Sequence, residues 1–370
     1  MNEQLLYVGT FTEPIRFGTG EMFHGKGEGI HIYSFDTKRE ELRPRSVARG
    51  IPNPSYLTVH RGRNLLFTVN ELKEYDGKPT GTVSAYSIDD RNGSLSFLSC
   101  NPTHGTDPCH ITTDAAGDYV LASNFMSGSV VLFPVLSDGS LGDASDFHQH
   151  EGASVHPQRQ SGPHAHSVVL SPDEQFVFVP DLGLDAVKVY RFERDKRALV
   201  PCPDADARMR PGAGPRHLVF DPSARFAFVV NELDSTVVAL KYDADSAALA
   251  EIETYSTLPG DFSDENTCSG IQITPDGRFL YVSNRGHDSI AVFAVDESDG
   301  SLRAICHQPT GGKTPRGFAI TADGNRLIAG NQNSDTIAVF SINQSTGNLT
   351  RICLVEAPTP VCIIPTTYTV

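Results

Sequence analysis

Residues 214–233 read GPRHLVFDPSARFAFVVNEL. Two apolar runs, LVF and FAFVV, flank the turn signal Asp221-Pro222-Ser223, so the stretch is predicted to fold as strand, turn, strand. Arg216 and His217 stand at its start, Asn231 and Glu232 at its end. A hairpin centred on the turn brings Glu232 back beside Arg216, so a cation meets a carboxylate at one corner. Whether that corner is a solvated strand end or part of a site depends on the rest of the chain.

The pattern recurs. It appears as PSYLTVHRGRNLLFTVNE from Pro54, PCHITTDAAGDYVLASNF from Pro108 and AHSVVLSPDEQFVFVPDL from Ala165. CSGIQITPDGRFLYVSNR from Cys268 and PRGFAITADGNRLIAGNQ from Pro315 complete a set of six. Each unit begins 16 positions before an Asn or Asp: Asn70, Asn124, Asp181, Asn231, Asn284 and Asn331. A third strand such as STVVALKYD or DSIAVFAVD follows, then a short segment opening with GSL, AAL or GNL. Four strands about every 50 residues are the signature of propeller blades. The N-terminal LLYVGTFT and GIHIYSFD supply a second and third strand, with a fourth near Leu42, but no first strand. The C-terminal PTPVCIIPTTYTV is a strand without a hairpin. Pairing the two ends removes the open edges of a linear array. The expectation is an all-β chain whose residues 1–370 form a single domain. That domain is a seven-bladed β-propeller of four-stranded antiparallel blades, closed by N- and C-terminal strands in one blade.

Composition narrows the function. The net charge of −15 argues against nucleic-acid and membrane-surface partners, which need basic faces. It leaves room for an anionic small molecule in a locally basic pocket. No run of 18 apolar residues occurs, and MNEQLLYVGTF lacks the basic and apolar regions of a signal peptide. The seven cysteines (100, 109, 202, 268, 306, 353 and 362) are odd in number and contain no CxxC pair, so reduced thiols and a cytoplasmic location are expected.

In a propeller the first strand is innermost, so the corner of each hairpin faces the channel mouth. The other corners carry Glu71 and His110, His166 with Asp181, Arg285, and Arg316 with Gln332. Solvated strand ends would mix Lys, Ser, Thr and Asp indiscriminately. One rim instead collects His166, Arg216, Glu232, Arg285 and Arg316, groups suited to proton transfer and charge stabilisation; the structural alternative is a set of ion pairs across the mouth. Long segments at 13–28, 72–81, 142–162, 203–213 and 259–267 are predicted to emerge at the same rim and wall a pocket.

The runs NPSYL, DPCHI, GPHAHSV, PDLGLD, GAGPRHLVF, VVNELDSTV, FLYVSNRGHDSIAVF and NQNSDTIAVF together resemble the seven-bladed propeller lactonase family. That family includes bacterial 6-phosphogluconolactonases, with fungal carboxymuconate cyclases as relatives. The likeness runs from GTFT to the final strand. It implies a metal-independent, cofactor-free enzyme that opens a lactone ring, or in the cyclases closes one. The cyclases place a His, an Arg, a Glu and a second Arg in the channel mouth. Those roles fall on His166 in PHAH, Arg216 in GPRH, Glu232 in NEL and Arg285 in SNR.

On this reading His166, with Glu232 as partner or alternative base, moves the proton. Arg216 is the oxyanion or carboxylate clamp. Arg285, Arg316 and His287 hold a phosphate or carboxylate at the far end of the substrate. His110, His164, His217, Glu71 and Gln332 complete the substrate-binding rim. The expected substrate is a small anionic lactone, 6-phosphogluconolactone first. An unphosphorylated sugar-acid lactone or carboxymuconolactone is the runner-up. Two other readings carry less weight. The five histidines of residues 148–166 suggest a metal site, but their spacings fit no compact ligand motif. A non-enzymatic propeller scaffold has no reason to gather Arg, His and Glu on one rim.

Overall fold

A computed structural model describes residues 3–369. The described residues form seven antiparallel blades of four strands, six of them in sequential order. A short extra strand, Ala207–Arg208, joins the blade of Phe176–Asp181, and a separate hairpin pairs Pro14–Arg16 with Met22–His24. The closing blade is assembled as expected from both ends: Pro360–Thr369, Glu3–Thr10, Gly29–Asp36 and Glu41–Arg49. Val8 lies opposite Ile363 on one side and His31 on the other. First strands stand side by side around the axis; Pro360–Thr369 packs against both Tyr56–His60 and Pro315–Ile320.

The opening stretch explains why the blades stack. Along Phe226–Asn231, Phe226, Phe228 and Val230 pack toward the blade that follows, against Leu280 and Val282. Ala227 and Val229 pack toward the preceding one, against Phe178 and Val187. Both faces are covered, which is why FAFVV reads as a continuous apolar run and not an alternating one. Each large side chain so buried contributes about 1.5–3 kcal/mol. The turn before it is held by Asp221, whose carboxylate accepts from the backbone N–H groups of Ser223, Arg225 and Phe226. That network keeps Ala224 in a left-handed conformation (φ 56°), where the corresponding TPDG turn uses Gly277 (φ 76°).

Two repeat positions acquire different jobs. The recurring Asn is buried and ties its blade together: Asn70 Nδ2 donates to the Pro52 carbonyl at 2.8 Å, while Oδ1 accepts from Thr82 and Ser84. Asn284 likewise donates to the Thr257 carbonyl at 2.8 Å. At the start of the first strands, the pairing register slips between Pro108 and His110, between Pro215 and His217, and between Pro315 and Gly317. Each slip leaves one extra residue, Cys109, Arg216 or Arg316, at a bulge that re-aims its side chain. The bulge residue and the residue after the Asn are the positions from which the site is built.

Candidate active site

A cavity of about 630 Å³ opens at the channel mouth. Cys109, His166 and Arg316 enter it from the second position of their repeats; Glu71, Phe125, Glu232, Arg285 and Gln332 enter from the position after the recurring Asn. Beneath it a smaller cavity of about 170 Å³ is bordered by Arg216, His217 and Tyr56, and shares Glu71, Cys109 and Arg316 with the first. Of the five long segments, 13–28 contributes Phe17 and Phe23, 142–162 contributes His156 and Arg159, and 259–267 contributes Glu265, Asn266 and Thr267. Segments 72–81 and 203–213 do not line it. Lys73 instead pairs with Asp107 at 3.1 Å, and Gly212 N–H donates to Asp185.

Glu232 is the hub. Its Oε1 accepts from Arg159 Nη2 at 2.5 Å; its Oε2 accepts from Arg216 Nε at 3.0 Å and lies 2.8 Å from Arg285 Nη2 and 3.8 Å from His166 Nε2. Burial alone would raise its pKa, but Arg285, Arg159 and Arg216 outweigh burial and hold the carboxyl well below the usual range. Three guanidiniums around one carboxylate leave a formal surplus of positive charge within an acidic protein. Arg216 also donates to the Ser269 carbonyl at 2.9 Å and lies 3.0 Å from His217 Nε2, so its fork is fixed. Burial and the neighbouring Arg285 pull it down to about 9, still protonated at neutral pH. Burial and Arg216 together push His166 well below 6.5, so its ring is neutral.

Arg316 lies over the rings of Phe11 and Phe17, 5.4 and 5.5 Å from their centroids. Among the described residues its guanidinium has no carboxylate partner, unlike Arg159, Arg216 and Arg285. Gln332 Oε1 and the Nε atoms of Arg159 and Arg285 are also buried without a hydrogen-bond partner.

The remaining sequence candidates lie elsewhere. His110 stacks on Tyr56 at 4.2 Å, accepts the Val168 N–H, and is pulled to about 3 by burial and Arg216. His164 stacks on Phe125 and hydrogen-bonds its carbonyl; its own N–H donates to Asp181. His287 packs on Phe262 and His307 and bonds the Ser289 hydroxyl at 2.6 Å, outside the cavity lining. The histidines of 148–166 are dispersed. His148 meets Asp146, His150 sits between Asp181 and Tyr190, and His156 caps a loop turn. Among the described residues no three potential ligands converge as a metal site.

Arg159 and Cys109 are among the lining residues that escaped sequence reading. Arg159 lies in a Gly/Ser/Gln-rich segment that looked like plain loop, yet it is the sole Lys or Arg in 142–162. Cys109 looked like an ordinary thiol, although it occupies the same repeat position as Arg216 and Arg316.

Glu71 is unlike Glu232: burial raises it to about 7, with Arg316 opposing. A carboxyl raised from 4.5 in the folded state stabilises fully below pH 4.5, and that contribution is lost as pH rises through about 7. The loss amounts to about 3 kcal/mol. Glu71→Gln is therefore expected to unfold at higher urea than the parent at pH 8, with the gap closing at pH 4.5.

Comparison with known proteins places this geometry. The family described as lactonase, 7-bladed beta-propeller, matches residues 5–365. The chain belongs to the seven-bladed β-propeller lactonase family. This lactonase is 36% identical over 316 residues to the 6-phosphogluconolactonase of Bacillus subtilis, covering 85% of this chain and 84% of that one. It is 32% identical over 315 residues to the 6-phosphogluconolactonase of Formosa agariphila, covering 84% of each. The structure of a periplasmic gluconolactonase from Pseudomonas aeruginosa superposes with a TM-score of 0.90 at 34% identity, over 99% of this chain and 100% of that one. Among the lactonase's described residues no helix is long and apolar enough to cross a membrane.

Proposed function

We propose that this lactonase hydrolyses a sugar lactone at the channel mouth, with 6-phosphogluconolactone as the first candidate. The observation that carries the reading is one buried carboxylate held by three guanidiniums beside a neutral imidazole, at the floor of an open cavity. The Glu232 carboxylate is engaged by Arg159, Arg216 and Arg285 and is a poor proton acceptor; it orients the guanidiniums. His166 takes the proton of the attacking water. Arg285 from the wall of the mouth cavity and Arg216 from the smaller cavity beneath face the oxygen that becomes negative as the carbonyl carbon turns tetrahedral. That developing charge offsets the positive field depressing His166, so the imidazole gains basicity when it needs it. The two 6-phosphogluconolactonase relatives favour a phosphorylated substrate, and the free thiols of the described residues suit the reducing cytoplasm.

Hydrolysis rates on a panel of phosphorylated and free aldonolactones test the proposal. Acceleration of none of them contradicts it. A second reading, an unphosphorylated sugar lactone, is favoured by the Pseudomonas gluconolactonase likeness. Arg316 separates the two. As a cavity-lining cation without a carboxylate partner among the described residues, it is available to meet a phosphate, and its loss removes a charge-assisted bond of about 1.5–3 kcal/mol. Arg316→Ala should raise KM for the phosphorylated lactone at least about 10-fold and leave the free lactone within about 2-fold. Equal effects on both would favour the unphosphorylated reading.

A further inference from the structure

Glu71 takes no part in the steps above, yet it borders both the mouth cavity and the smaller cavity beneath. It is only 7% exposed; its Oε2 has no partner within hydrogen-bond distance, although the adjacent Ser55 hydroxyl, itself unpartnered, lies near enough to oppose the rise in its pKa. No other buried carboxyl oxygen among the described residues is left in that state. Asp181 shows the usual arrangement: its carboxylate accepts from the N–H groups of His164, Gly183 and Leu184 and from His150. Leaving a buried carboxyl oxygen unbonded costs stability, so such a group is a candidate for chemistry.

Its surroundings come from three other blades. Arg316 and Arg216 face it with positive charge, and Asp107, itself paired with Lys73, faces it with negative charge. The Cys109 thiol is a further titratable neighbour, and Tyr56 and His217 share the smaller cavity with it. Glu71 and His166 thus line one cavity with opposite tendencies, a carboxyl favoured in its protonated form and an imidazole favoured in its neutral form. Such a split is how one site holds an acid and a base at the same pH.

We propose that Glu71 is the catalytic acid that protonates the departing ring oxygen, an assignment that rests on the lactone-hydrolysis reading. Water gives one proton to His166 as its oxygen bonds to the acyl carbon. The tetrahedral intermediate then collapses: the acyl carbon–ring oxygen bond breaks, its electron pair goes to the ring oxygen, and the Glu71 proton goes with it. The product is a hydroxy acid. One proton then returns to Glu71 and one is released to solvent as the new acid ionises, so no oxidant or co-reactant is needed.

The test compares leaving groups. With glucono-δ-lactone, whose alkoxide leaves poorly, Glu71→Gln should lower kcat about 100-fold or more. With dihydrocoumarin, whose phenolate leaves without help, the loss should stay under about 5-fold. Wild-type kcat should also fall as pH rises through about 7, with that limb absent in Glu71→Gln and present in Glu71→Asp. Equal losses on the two lactones, or an unchanged limb in Glu71→Gln, overturn the assignment. If wild type does not turn over dihydrocoumarin, the pH limb decides alone. Wild type inactive on every lactone contradicts the hydrolysis reading itself, a result distinct from either.

Discussion

Arg216→Ala is expected to lower kcat/KM for lactone hydrolysis by about 10²- to 10³-fold, the usual effect of removing one oxyanion-stabilising donor. The size follows from how the residue is held. It sits on a strand bulge, 3% exposed, with its guanidinium bonded to Glu232 and the Ser269 carbonyl. A cation fixed in advance needs no reorganisation when negative charge appears at the substrate. Arg216→Lys should fall nearly as far, because a single ammonium cannot reproduce the planar fork that spans these partners. Steady-state kinetics on the best aldonolactone, with circular dichroism to verify folding, reads the effect. A folded Arg216→Ala enzyme within about 3-fold of wild type would remove Arg216 from the chemistry.

Glu232→Gln is expected to destabilise the fold by about 3–5 kcal/mol, because it leaves buried cations uncompensated. The side chain keeps its size, so packing changes little and the loss is electrostatic. Its pH dependence has a definite sign. The Glu232 pKa is depressed on folding, so its contribution is complete above the unfolded value near 4.5 and disappears as pH falls through the folded value. Urea unfolding should show a wide gap between wild type and variant at pH 7 and a smaller one well below pH 4. A gap independent of pH would mean that the three guanidiniums are balanced by other groups.

The propeller was legible because each blade repeats the same local instructions. Turn signals, β-branched runs and the recurring Asn, as at Asn70 and Asn284, stand in fixed register, and a chain with three strands left over at one end and one at the other closes by pairing them. The mouth was legible for a related reason: residues at equivalent places in the repeat must converge on the axis. What did not follow from spacing was direction. A bulge moves Cys109, Arg216 and Arg316 into the lumen and leaves His110 stacked on Tyr56, a displacement of one residue that depends on pairing geometry. His287 and His164 illustrate the same limit, since each lies two residues from a lining residue, Arg285 or His166, but packs on an aromatic neighbour. Arg159 reaches Glu232 from a long insertion, where no repeat exists to predict its placement.

The most direct measurement is a crystal structure of the protein with the aldonate product bound, gluconate and 6-phosphogluconate in turn. Product density in the mouth cavity, with its carboxylate on Arg285, His166 within hydrogen-bond reach and its reacting end directed at Arg216 in the cavity beneath, is the expected result. Product bound on the opposite face of the propeller, or a mouth left empty at concentrations that inhibit the enzyme, would contradict the account.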